Sequence, residues 1–169
     1  IAEKENKMKI ALGCDEAGFE LKQIILDKLK DLDNIVEDYG CYDKNPVLYP
    51  NIGKSVAEAV ISGKHDRGIL ICGTGIGMCI TANKIPGISA AVCHDSFSAV
   101  RSRCSNNAQI MCIGARVIGS ELAKQLVEIW LSNDFSGGGS TEKVMLINEI
   151  EKLKKVYEKH AADLKSLNA

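Results

Sequence analysis

No apolar run in this chain approaches the roughly 20 residues that a helix needs to cross a bilayer, which argues against a membrane protein. Basic residues are not in excess: the formal net charge is -1, so nucleic-acid binding has little electrostatic support. No segment reads as a signal peptide, no Cys-x-x-Cys pair occurs, and the cysteine count is odd, at seven. These absences predict reduced thiols and a cytoplasmic protein.

What is present is typical of one globular domain. The chain has 169 residues, of which 46% are hydrophobic and 25% charged, so a sizeable core is expected and disorder is not. Residues 1–7 are polar and patternless, and Met8 is the expected native start.

Strand and helix patterns alternate along the chain. Strands are predicted at 8–14, 35–39, 68–72, 88–93 and 110–113, and helices at 19–32, 52–62, 76–84, 96–104 and 119–131. This order predicts a single doubly wound, Rossmann-like α/β/α domain with a five-stranded parallel sheet, spanning residues 8–135. Residues 136–169 form a glycine-rich break and a C-terminal helical extension, expected to pack on the body or on a partner subunit.

The most informative segment is residues 68–78, which read GILICGTGIGM. A buried strand ends at Cys72, and Gly73, Gly75 and Gly77 then allow backbone amides to approach a ligand where a helix begins. Such amides can lower the pKa of a thiol and stabilise an oxyanion beside it. The segment lacks the full dinucleotide-binding spacing and the Lys-Ser/Thr ending of a P-loop. It therefore favours an enzyme acting on a small oxygenated or anionic substrate.

Further polar residues follow the predicted elements. Parallel sheets bind ligands at the carboxyl ends of their strands, so Asp15, after the first strand, is expected to face Cys72 across a crevice. Asp15 also fits a plain helix N-cap. Each of the remaining candidates also fits a surface position or a helix cap without a functional role. These candidates are Asn83, His94, Asn106 and Arg116. No metal site is expected, because in Cys93-His94-Asp95 adjacent residues of an extended chain point to opposite faces.

Five segments carry a resemblance to a known family: residues 66–78, 82–88, 13–19, Tyr49-Pro50 and 114–119. Together they are similar to the type B ribose-5-phosphate isomerase and galactose-6-phosphate isomerase family, over residues 8 to about 155. The resemblance implies a cofactor-free aldose–ketose isomerisation through a cis-enediolate. It also implies a homodimer or tetramer whose active sites are shared between subunits.

The resemblance assigns roles to individual residues. Cys72 is the base, the amides of Gly73–Gly77 hold the enediolate oxygen, and Thr74 and Asp15 handle hydroxyl protons and orientation. Asn106 and Arg116 are implied to come from the partner subunit.

Four positions depart from the family pattern. Glu16 stands where the family has a phosphate-binding histidine, and Gly139 where it has a phosphate-binding arginine. Lys143 replaces a second such arginine, which keeps the positive charge but loses the two parallel hydrogen bonds that a guanidinium can donate. Ser105 replaces the ring-opening histidine. The departures predict an altered substrate that is either unphosphorylated or needs no ring opening, such as a tetrose 4-phosphate. Whether His94 takes over ring opening is left open.

Two other classes of protein fit part of the pattern. One is a non-catalytic or partner-dependent sugar-binding subunit of a hetero-oligomeric isomerase, against which the presence of Cys72 argues. The other is a redox protein using Cys72 and Cys79, whose spacing disfavours an easy disulfide.

Overall fold

The computed structural model describes residues 7–167, without the side chains of 155 and 162–167. The strands are β1 (Lys9–Cys14), β2 (Ile35–Asp38), β3 (Arg67–Cys72), β4 (Ala90–Val92) and β5 (Ile110–Gly114). The helices are α1 (Phe19–Asp31), α2 (Tyr49–Ile61), α3 (Ile76–Ala82), α4 (Ser96–Cys104), α5 (Ser120–Leu131) and α6 (Thr141–Leu167). Within this described part of the chain, no helix has the length and apolarity to cross a membrane.

The five strands form one sheet in the order β2-β1-β3-β5-β4, and every pair is parallel. Side chains alternate between its two faces: Ile69 and Ile71 pack with α1 and α5, while Leu70 and Cys72 pack with α2 and α3. The predicted doubly wound α/β/α fold is thereby confirmed. The winding reverses between β1 and β3, so the sheet opens a crevice at their carboxyl ends.

Three details differ from the sequence prediction. Helix α2 begins at Tyr49 rather than residue 52, because Pro50 is suited to a first helical turn. Strand β4 is only three residues long, at the edge of the sheet. The polar sequence around His65 predicts a solvent-exposed side chain, but His65 is only 6% exposed, with its Nε2 3.1 Å from a Glu37 carboxylate oxygen and its ring edge-on to Tyr39.

The pattern of the C-terminal extension fits a long helix or a helix pair, and the structure has one long helix after a short 3-10 turn at Gly138–Ser140. A Glu151 carboxylate oxygen accepts a hydrogen bond from the Gly87 amide at 2.9 Å, which ties α6 to the connection before β4. Apolar side chains of α6 nevertheless face solvent, with Leu146 62% and Ile150 60% exposed. Packing of this extension on a partner subunit stays a prediction, and residues 168–169 lie outside the described part.

Candidate active site

Cys72 ends β3 at the carboxyl edge of the sheet and is 5% exposed. Its Sγ accepts a hydrogen bond from the Gly75 amide at 3.1 Å, so the thiol sits within the turn of amides expected from the glycines. Gly75 has φ of +78°, and a Cβ there would lie 3.0 Å from the carbonyl carbon of Ile113. Only glycine fits both demands, and the turn closes tightly against β5.

Thr74 and Tyr49 flank this turn. Thr74 is exposed, and its Oγ1 accepts from the Ile76 amide at 3.3 Å, which leaves the hydroxyl proton available to a ligand. A Cβ on Gly77 would lie 2.7 Å from the Tyr49 hydroxyl oxygen, so the phenol packs directly on the first turn of α3. Sequence reasoning did not single out Tyr49 as a site residue, although Tyr49-Pro50 was among the segments that carry the resemblance.

Asp15 follows β1 next to β3, with its amide donating to the Ile71 carbonyl at 3.1 Å. Its Oδ1 accepts from the Gly18 amide at 2.9 Å, which is the N-cap role that competed with a functional one. Burial raises the pKa of the Asp15 carboxyl, and the nearby Arg116 guanidinium opposes this rise. Asp15 thus belongs to the crevice and is fixed in orientation by the turn it caps.

Arg116 lies on the glycine turn of its own chain, and the contribution to a partner subunit's site that the resemblance implied stays a prediction. Its amide donates to the Gly73 carbonyl at 3.0 Å, and the preceding Ala115 amide donates to the Cys72 carbonyl at 2.8 Å. The guanidinium Nη1 is 3.5 Å from the point where a Gly73 Cβ would be. A positive charge therefore stands beside Cys72, in place to bind an anionic group of a substrate.

His94 follows β4 and contacts the end of β5. Its Nε2 accepts a hydrogen bond from the Gly114 amide at 2.8 Å. Gly114 pairs in register with Cys72 on the neighbouring strand. His94 is therefore near the site, and the backbone of β5 connects it to the strand that carries Cys72.

Three predicted site residues lie at the opposite, amino-terminal edge of the sheet. Asn83 ends α3, and its side-chain amide donates to the Ala90 carbonyl and accepts from the Ala90 N–H, both at 2.9 Å. Its assignment as a substrate ligand stays a prediction. Ser105 and Asn106 follow α4, whose last turn contacts the segment after α5 through Arg103. Because helices of such sheets run back to the strand starts, these two residues lie away from the Cys72 of their own chain.

Three of the residues that depart from the family pattern are Glu16, Gly139 and Lys143. A Glu16 carboxylate oxygen accepts from the Val47 amide at 3.2 Å, which holds a negative charge one residue from Asp15. Lys143 is exposed in the first turn of α6, and Gly139 precedes that helix. None of them restores the histidine and arginines that the family pattern has here.

The cysteines differ in their environment. A hydrogen bond with Cys112 lowers the pKa of Cys79 to about 7, while burial raises the pKa values of Cys93 and Cys112. Cys14 and Cys41 lie with their sulfurs 3.6 Å apart, both buried and both free thiols. Across residues 7–167, no three His, Cys, Asp or Glu side chains gather as metal ligands would.

We expect Cys79 to be alkylated before Cys93 and Cys112, because it combines partial exposure with a lowered pKa. Short treatment of the native protein with iodoacetamide at pH 7, followed by peptide mass spectrometry, measures this order. The variant Cys79→Ser is the control that should lose the early adduct. Equal labelling rates at Cys79 and Cys93 would contradict the assignment.

The sequence model of the family described as Ribose/Galactose Isomerase matches residues 10–147. The chain is 56% identical over 144 residues to the Ribose-5-P isomerase B of Listeria innocua, covering 85% of this chain and 97% of that protein. It is 52% identical over 147 residues to the D-erythrulose-4-phosphate isomerase of Pectobacterium atrosepticum, covering 85% and 95%. The solved Clostridium thermocellum Ribose-5-Phosphate Isomerase B is 49% identical, with a TM-score of 0.86 over 87% of this chain and 99% of that one.

Proposed function

Because the chain belongs to the Ribose/Galactose Isomerase family, we propose that it is an aldose–ketose isomerase for a small sugar phosphate, with Cys72 as its base. The observation that carries the proposal is the Cys72 thiol at the end of β3, hydrogen-bonded by the Gly75 amide inside the glycine turn. The Gly75 and Ile76 amides already donate to Cys72 Sγ and Thr74 Oγ1, and the other amides of the turn offer donors where an oxyanion develops.

The reaction needs a base and an oxyanion site together. A proton next to a carbonyl is weakly acidic, and its removal places negative charge on the carbonyl oxygen. In the proposed mechanism the Cys72 thiolate removes this proton and returns it to the neighbouring carbon, while amides of the Gly73–Gly77 turn hold the enediolate oxygen. One such donor contributes roughly 3–4 kcal/mol to transition-state stabilisation. Thr74 and Asp15 orient the substrate and assist transfer of the hydroxyl proton from one substrate oxygen to the other. No cofactor is needed.

Within this class of substrate we favour a tetrose 4-phosphate over ribose 5-phosphate. Ribose 5-phosphate closes into a furanose and needs an acid–base group to open it, but Ser105 does not titrate near neutral pH. His94 is no replacement, since its Nε2 is already an acceptor for the Gly114 amide. A tetrose 4-phosphate has its O4 esterified and stays open-chain. The relatives include both a Ribose-5-P isomerase B at 56% identity and a D-erythrulose-4-phosphate isomerase at 52%, so the choice rests on Ser105.

The substrate proposal predicts a specificity difference. We expect kcat/KM for a tetrose 4-phosphate to exceed that for ribose 5-phosphate by about tenfold or more. Isomerisation of both sugars by the purified chain, followed by NMR, measures it. Ser105→His should raise turnover of ribose 5-phosphate and leave the tetrose unaffected, because only the pentose must open a ring. If ribose 5-phosphate is the better substrate of the unaltered chain, the choice of substrate is wrong.

We further propose a homodimer or tetramer with shared active sites, working in the cytoplasm. The position of Asn106 at the edge away from Cys72 supports the sharing. Ile76 and Ile80 support it too: both are 56% exposed on α3, next to the glycine turn, and a second copy would cover them. Activity of the purified chain alone separates this proposal from a partner-dependent subunit of a hetero-oligomer.

A further inference from the structure

We propose that His94 is a positioning residue for the isomerase reaction, holding the end of β5 beneath the glycine turn through its unprotonated Nε2. The inference rests on the proposed function and concerns how the turn is kept in shape. It does not make His94 a group that touches the sugar.

The hydrogen bond itself defines the state of the imidazole. A backbone N–H only donates, so the Nε2 that lies 2.8 Å from the Gly114 amide must carry a lone pair. The ring is then neutral, with its proton on Nδ1. Strand β4 ends at Val92, and the Cys93 amide makes the next backbone bond, to the Cys112 carbonyl. The imidazole supplies the acceptor for the amide of Gly114, two residues further along β5.

Gly114 contacts the glycine turn directly, so the position of Gly114 affects the shape of the turn. A Cβ on Gly114 would lie 2.7 Å from both the carbonyl carbon and the oxygen of Thr74, so the two backbones are in full contact. The residues directly after Gly114 hydrogen-bond the carbonyls of Cys72 and Gly73. A shift of the β5 end therefore moves the Cys72 turn and Arg116 with it.

The surroundings of His94 favour the neutral ring. Burial lowers its pKa, and the facing charge of Asp95 only partly opposes this. The Asp95 carboxylate is itself engaged as the N-cap of α4, accepting from the Ser98 amide at 2.7 Å. Since the pKa in the folded state is below the unfolded value, the contribution of His94 to stability is present above about pH 6.5 and is lost as the pH falls through the folded pKa.

Two substitutions separate this role from plain packing. We expect His94→Phe, which keeps an aromatic ring and removes the acceptor, to lower kcat by about 10- to 100-fold with little change in KM. In His94→Gln the side-chain oxygen can accept from the Gly114 amide, so kcat should return to within about fivefold of the unaltered enzyme and the acid limb of its pH profile should move to lower pH. His65→Phe is the matched control: it removes a second, buried imidazole outside the site and should change thermal stability but not kcat.

A measurement that does not depend on activity accompanies the kinetics. Nitrogen-15 NMR of the histidine rings should show Nε2 of His94 unprotonated at pH 7.5, and the Gly114 amide should exchange slowly in the unaltered chain and fast in His94→Phe. A protonated Nε2, or a His94→Phe enzyme within twofold of full kcat, overturns the inference. If the unaltered chain turns over no sugar phosphate, the proposed function fails and the role of His94 in it fails as well, while the NMR result still decides whether the hydrogen bond exists.

Discussion

Cys72→Ser should lower kcat by about 10³-fold or more while the fold and its stability stay almost unchanged. A serine hydroxyl occupies nearly the same space, and its oxygen can still accept from the Gly75 amide that now contacts the sulfur at 3.1 Å. It does not ionise near neutral pH, so the step that removes a proton from carbon has no base. Loss of activity with an intact turn is the signature of a missing base.

Two readouts make this result specific. Interconversion of the sugar phosphates measures turnover, and exchange of the substrate C–H proton with deuterium from the solvent measures the proton transfer directly. Both should vanish together in Cys72→Ser. Cys79→Ser is the control, since Cys79 is a free and partly exposed thiol outside the turn. Retention of a tenth of the activity in Cys72→Ser would assign the base to another group.

Gly114→Ala should be the most damaging single methyl addition at the site. The new carbon would lie 2.7 Å from the carbonyl carbon and oxygen of Thr74, and backbone atoms have no rotamer with which to move away. We expect a loss of about 1–3 kcal/mol in the free energy of unfolding. Because the turn must shift, we also expect kcat to fall about 100-fold.

The matched control for this variant is Gly68→Ala, near the start of β3, the strand that ends at Cys72. There the added carbon meets only side-chain atoms, of Ile110 and Val56 at 3.0 Å. Denaturant unfolding and steady-state kinetics on both variants separate the two effects. Gly68→Ala should lose stability and keep kcat, and an equal loss of kcat in the two variants would show that instability alone explains the damage.

The fold could be predicted from sequence because buried parallel strands read as short apolar runs between amphipathic helices. The crevice followed from topology: once Asp15 and Cys72 were placed after the first and third strands, the reversal of winding brought them together. Both inferences depend on local pattern and on rules of connection, which a sequence carries.

What could not be predicted depends on contacts between distant segments. Nothing local indicates that the Asn83 amide clamps Ala90, that Arg116 lies on Gly73, or that a Tyr49 phenol packs on Gly77. The role of His94 follows from the short length of β4 at the sheet edge, and strand ends are the least certain part of a sequence prediction.

Strand β3 is apolar on both of its faces, with Ile71 in one core layer and Cys72 in the other. A deletion of one residue within Gly68–Ile71 would turn the residues after it to the opposite face, where they would still meet an apolar layer, so the hydrophobic pattern alone does not decide which face Cys72 occupies. The thiol, however, would then point toward α1 and α5, away from the glycine turn. The position of the base therefore depends on the number of residues in β3 rather than on their hydrophobicity.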